Sequence, residues 1–165
     1  MKKLLIVYYS PTNGNTRRVA RILQEATGAD MAEIETAQPY TGSYDNIVAQ
    51  GQREVNSGFM PELKPLGVNV AGYDVIAVGT PTWWYTMAPA VKSFLAANDW
   101  RGKTVIPFQT HGGWPGHAIK DVKAACRGAQ FACEMKVQFD STGGSTMVTG
   151  EDEVRAWAGS VKAAL

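Results

Sequence analysis

An apolar run, residues 4–9, stops abruptly in Ser10-Pro11-Thr12-Asn13-Gly14-Asn15-Thr16, and a helical pattern begins at once. That order constrains the chain more than any other feature. Thr16, Val19, Ala20, Leu23 and Ala26 or Thr27 share one face of the helix, so the N–H groups of its first turn point back at the loop. Those donors lack intrahelical partners, and a helix start carries about half a positive charge. With the hydroxyls of Ser10, Thr12 and Thr16 they suit an anion without help from a lysine. Each hydrogen bond to a charged acceptor stabilises by about 1.5–3 kcal/mol, so a handful of donors gives tight binding. Pro11 has no N–H, which leaves residues 12–16 as the donors. Asn13 tolerates the positive φ that a tight curl needs.

Four further apolar runs, residues 31–34, 75–79, 104–108 and 131–139, alternate with helical stretches, a pattern that implies a parallel sheet with helices on both faces. Val154, Trp157, Ala158, Val161 and Leu165 form the apolar stripe of a closing helix. Residues 37–70 are the least readable. Tyr40, Tyr44, Ile47 and Val48 suggest a short helix ended by Gly58, with Arg53 and Glu54 on its solvated face. No linker, repeat or low-complexity run interrupts residues 1–165, so a single α/β domain is expected.

Two more loops sit where strands end. Residues 80–89 read Thr80-Pro81-Thr82-Trp83-Trp84-Tyr85-Thr86-Met87-Ala88-Pro89, and three consecutive aromatic residues offer flat apolar walls. Residues 109–117 read Gln109-Thr110-His111-Gly112-Gly113-Trp114-Pro115-Gly116-His117, where two adjacent glycines leave N–H groups open to a ligand. In α/β sheets ligands bind at the carboxyl ends of strands, which is the reason to join the three loops into one site. The first loop is not Gly-x-x-x-x-Gly-Lys-Ser/Thr, and neither it nor the third is Gly-x-Gly-x-x-Gly, so nucleotide-triphosphate and dinucleotide fingerprints are absent. His111 and His117 lack metal-ligand spacing, and no metal is expected.

These loops resemble those of the flavodoxin family. Its Ser/Thr-x-Ser/Thr-Gly-x-Thr phosphate loop is matched by Ser10, Gly14, Asn15 and Thr16, with Pro11-Thr12-Asn13 one residue longer than usual. Its Pro-x-Trp-Trp-Gly stretch and following Pro-Ala-Val helix are matched by Pro81, Trp83, Trp84 and Pro89-Ala90-Val91. The resemblance implies a doubly wound five-stranded sheet of order 2-1-3-4-5, with FMN as cofactor beside the first and third strands. Its phosphate would lie on Ser10, Thr12, Asn13, Gly14, Asn15 and Thr16. Its isoalloxazine would lie between Pro81, Thr82, Trp83, Trp84 and Tyr85 on one side and Thr110, His111, Gly112, Gly113, Trp114 and Gly116 on the other. No side chain acts as a catalyst; the flavin carries the chemistry. Tyr85 stands where the family pattern has glycine. Because positive φ is costly for a bulky residue, rotation of that peptide toward the flavin is expected to be disfavoured, and little of the one-electron-reduced flavin should accumulate.

The resemblance implies an electron-transfer protein working with redox partner proteins. An FMN-dependent NAD(P)H reductase of quinones or similar acceptors is the enzyme alternative, and a flavin-free partner-binding module the third. Sixteen basic against fifteen acidic residues show no nucleic-acid footprint, and no apolar stretch is long enough to span a membrane. The short apolar run after Met1-Lys2-Lys3 ends in the anion loop rather than a cleavage site, so a cytoplasmic protein is expected. Cys126 and Cys133 are outside any Cys-x-x-Cys motif and read as reduced and structural.

Overall fold

In a computed structural model describing residues Met1–Leu165, strand β1 (Leu4–Tyr8) is buried along its whole length. Its side chains alternate between two separate cores. Leu5 and Val7, with Tyr9 just past the strand, enter one, and Leu4, Ile6 and Tyr8 the other. A strand buried on both faces is apolar throughout, which is why the run showed no alternation in sequence.

Helix α1 (Asn15–Thr27) follows, then β2 (Asp30–Glu33), α2 (Tyr44–Ser57), β3 (Val75–Trp83), β4 (Thr86–Met87), α3 (Pro89–Ala96), β5 (Thr104–His111), α4 (Ala118–Ala125), β6 (Gln130–Phe131), β7 (Met135–Gln138) and α5 (Glu151–Ala163). The parallel sheet runs β2-β1-β3-β5-β6, with β7 pairing β5 beyond β6 and β4 folded antiparallel on β3. Counting β6 and β7 as one broken strand, the order is the expected 2-1-3-4-5. Val19, Ala20, Ile22 and Leu23 of α1 and Val154, Trp157, Ala158 and Val161 of α5 cover one face. Ala90, Val91, Phe94 and Leu95 of α3 and Val122 of α4 cover the other.

Three departures from the sequence reading have local causes. The fifth strand is not continuous over 131–139: Thr104 and Val105 face Gln130 and Phe131, but Phe108 faces Met135, so one extra residue is accommodated between the halves, and Cys133 there takes φ 52°. The third strand runs past Gly79 to Trp83, and the aromatic segment is thereby the end of a strand and its hairpin rather than a free loop. Glu54 is buried, not solvated; it accepts hydrogen bonds from the Tyr40 hydroxyl and, at 2.8 Å, from Gln50 Nε2. Both cysteines are free, and burial pushes the Cys126 thiol up to about 12. No helix is long and apolar enough to cross a membrane.

Gly79 has a packing role. It faces Phe108 on β5, and a Cβ built there would lie 2.3 Å from Phe108 Cζ. Phe108 is fully buried against Trp157 and cannot withdraw. Gly79→Ala should therefore destabilise the fold by about 1–3 kcal/mol, as overpacking does. In chemical denaturation, combining it with Phe108→Leu should cost less than the sum of the two single changes; additive losses would show that the ring contact is not the cause.

Candidate functional site

The carboxyl ends of β1, β3 and β5 carry the three loops singled out in sequence, and a fourth follows β7. The first begins with Ser10, whose Oγ accepts from Arg17 N–H at 3.2 Å and closes the loop onto its own helix. Asn13 (φ 52°) and Gly14 (φ 71°) take left-handed conformations, and Gly14 is the helix N-cap with no side-chain cap. The curl leaves the N–H groups of Thr12, Asn13, Asn15 and Thr16 without protein partners, since Gly14 N–H bonds Thr12 O and helical bonding starts with Arg18 N–H to Gly14 O. Successive unpaired donors at a helix start form an anion cradle. Arg17 lies alongside, but its guanidinium is paired with Glu33.

Two side chains of this loop reach across to the segment after β7. Asn13 Nδ2 donates to Gly143 O, and Asn15 Nδ2 donates to Gly144 O at 3.1 Å. The 140–144 loop after β7 is thus the fourth wall. It was missed in sequence, although Thr142-Gly143-Gly144 after a strand carries the same polar, glycine-bearing signature as the other three. Thr16 is 1 % exposed and its hydroxyl is shared with that of Thr110 at 2.8 Å, so one of its bonds ties the first loop to the third.

The second loop is a hairpin. Trp83 pairs with Thr86 and only Trp84 and Tyr85 lie between, at φ 50° and 69°. Two consecutive positive φ values mark a type I′ turn, which ordinarily selects Asn-Gly. Each left-handed bulky residue costs about 1–2 kcal/mol. This overturns the expectation for Tyr85: the conformation held to be disfavoured is the one that the folded hairpin adopts. The tip is held from two sides. Trp84 Nε1 donates to Val48 O at 3.0 Å, and Tyr85 O accepts from His117 N–H at 2.8 Å. Gly116 makes the second contact possible, because a Cβ there would lie 2.2 Å from Tyr85 O.

Trp83 and Trp84 part company. Trp83 leans into the core beside Tyr9 and edge-on to Tyr40, with Gly51 of α2 beneath it, and it separates from the hairpin tip. It lines a cavity of about 320 Å³ with Ser10, Thr12, Arg17, Tyr40 and Lys64. Trp84, Tyr85 and Trp114 are 39, 54 and 61 % exposed, and with Thr82 and Gly112 they line a second cleft of about 220 Å³. Pro81 is half-buried on β3 and lines neither. In the third loop His111 Nδ1 accepts from Gly113 N–H at 3.0 Å, a bond that requires the neutral ring. Burial and, secondarily, Lys136 hold its pKa below the ordinary histidine value.

A buried polar relay joins the loops. Thr82 Oγ1 donates to Thr110 O at 2.9 Å and accepts from Gln109 Nε2 at 2.7 Å, while the same amide nitrogen donates to Pro115 O at 3.0 Å. Gln109 is fully buried, and its Oε1 has no partner. An orphaned buried acceptor costs about 1–3 kcal/mol. Sequence reading passed over Gln109, and no motif marks it. Nor did it find that buried Tyr9, half-buried Tyr40 and buried Glu54 come together under the hairpin. Burial holds both phenols above their ordinary pKa, with Glu54 adding to the effect. Replacing Trp84-Tyr85 by Asn-Gly should raise stability by about 1–2 kcal/mol, the relief of turn strain less the lost indole bond. Thermal unfolding decides; a less stable double variant would show that the aromatic tip contributes more packing than its turn costs.

The comparisons with known proteins agree with this architecture. No curated protein matches the chain. A candidate flavoprotein from Bacteroides eggerthii superimposes with a TM-score of 0.78 over 99 % of both chains at 30 % identity. A flavoprotein from Lactobacillus acidophilus, solved in complex with FMN, gives 0.72 over 82 % of this chain and 93 % of its own at 20 % identity. A flavodoxin, WrbA-like protein from Agrobacterium tumefaciens gives 0.68 over 99 and 97 % at 17 % identity. The latter two share the fold. The family profile described as Flavodoxin matches residues 3–136. The chain belongs to the flavodoxin family.

Proposed function

We propose that this protein binds FMN across the carboxyl ends of β1, β3 and β5 and passes electrons between redox partners. The observation that carries the reading is the cradle of four unpaired N–H groups at residues 12, 13, 15 and 16, set at the start of α1. It suits a phosphate monoester, which offers several acceptor oxygens and a charge that the helix start favours. The complex of the Lactobacillus acidophilus flavoprotein supports the choice of ligand.

The residues fit the group. Thr12 to Thr16 would hold the phosphate, with the Ser10 hydroxyl beside it. The exposed rings of Trp84, Tyr85 and Trp114, with Thr82 and the backbone of Gly112, would hold the isoalloxazine. When bound, FMN supplies one- and two-electron redox chemistry. The protein's part is to orient the ring, to cover its faces and to present the bare N–H group of Gly112 where charge collects on reduction. Trp83 belongs to the wall beneath the hairpin rather than to the ring-side cleft.

The ring-side cleft is open, which also leaves room for a small flat acceptor and keeps the NAD(P)H-dependent reductase as the competing reading. Riboflavin, which lacks the phosphate, should bind at least about 100-fold more weakly than FMN, since losing two charge-assisted bonds at about 1.5 kcal/mol each removes that factor. Fluorescence quenching gives both constants. Equal affinities would remove the phosphate cradle from the account. Rapid NAD(P)H oxidation with a quinone by the FMN-loaded protein would favour the reductase, and a purified protein that takes up no flavin would favour a binding module.

A further inference from the structure

Gln109 is the one buried side chain left with an unanswered polar atom, and it stands between the two loops that frame the ring-side cleft. The orientation of its amide is decided by its neighbours. Pro115 O can only accept, so Nε2 must face it at 3.0 Å; the Thr82 hydroxyl proton is engaged by Thr110 O, so its lone pair takes the second Nε2 hydrogen at 2.7 Å. Flipping the amide would set Oε1 against the Pro115 carbonyl and lose both bonds. Oε1 is therefore orphaned because the nitrogen is needed where it is. An apolar side chain of similar shape would fill this fully buried position without the penalty of an unpaired acceptor.

We propose that Gln109 is a positioning residue for the flavin site: one amide nitrogen clamps the end of β3 to the loop at Pro115, and so fixes the height of Gly112 and Gly113 over the cleft. The clamp acts in series with contacts already described. Gly116 and His117 follow Pro115 directly, and His117 N–H holds Tyr85 O at the hairpin tip. Thr82, the other end of the clamp, lines the cleft itself. Loosening Pro115 lets the 112–116 segment and the hairpin tip move apart, while Thr16 and Thr110 keep the phosphate cradle closed.

This inference rests on the FMN reading, so its test has one arm with flavin and one without. Gln109→Met fills the volume, removes the orphaned acceptor and breaks both clamp bonds. In the flavin-free protein the thermal midpoint should stay equal or rise, while the hydrogen-bonded amides of Gly113 and His117 exchange with solvent at least about tenfold faster. With flavin, FMN should bind about tenfold more weakly in Gln109→Met, and its two-electron midpoint potential should move to more negative values as the N–H groups of the third loop lose register. Gln109→Glu, which keeps the shape but places oxygen against Pro115 O, should be no better than Met. Unchanged exchange and unchanged potential in Gln109→Met would overturn the proposal, as would a fall in thermal midpoint that accounts for the whole loss of affinity. If the parent protein itself binds no FMN, the functional reading fails, and the exchange arm still decides whether Gln109 clamps the loop.

Discussion

Everything at the functional edge of this protein depends on one short relay of buried hydroxyl, amide and carbonyl groups: Thr16 to Thr110, Thr110 to Thr82, Thr82 to Gln109, and Gln109 to Pro115. Parallel strands splay their loops apart at a topological switch, and here the switch falls between β1 and β3. Loops that diverge there make a crevice only if something holds their spacing. Apolar packing cannot do it, because the crevice must stay open to a polar ligand. Directional bonds in a buried setting can, and an unsatisfied partner is the cost when any one is removed.

The same logic explains why the hairpin tip tolerates strain. Trp84 and Tyr85 occupy backbone conformations suited to Asn and Gly, yet they are pinned by Val48 O and His117 N–H on opposite sides. Strain of this kind persists where surrounding structure over-determines the backbone, and it clusters at ligand sites. The benefit is two rigid rings presented to solvent at the edge of a cleft. Gly116 and Gly79 serve opposite ends of the scheme. Gly116 lets the third loop reach the hairpin, and Gly79 lets Phe108 fill the core below it.

Much of the fold was legible because doubly buried strands and one-sided helices leave opposite signatures. The runs at β1, β3 and β5 read as strands from their unbroken apolar character, and α1 and α5 from their stripes. The extra residue near Cys133 was not legible, since an apolar run says nothing about register. Glu54 misled because a charge at helical spacing usually faces water, whereas its partner Tyr40 is fourteen positions away. At the site, the polar loops announced themselves through residue type, but their division of labour did not. Adjacent residues Trp83 and Trp84 differ in role only because the turn between Trp83 and Thr86 swings one ring into the core and the other out of it. Gln109 was silent because it reads as the first residue of a polar loop, where an amide needs no partner, whereas β5 continues to His111 and buries it.

The central claim is that one ligand bridges the anion cradle of the first loop and the aromatic cleft between the second and third. Amide-resolved NMR titration of the flavin-free protein with FMN tests it most directly. The amides of Thr12 to Thr16 and those of Gly112 to Trp114 should shift together, with a single saturating profile. Shifts confined to one of these groups, or appearing on a different face of the sheet, would contradict it.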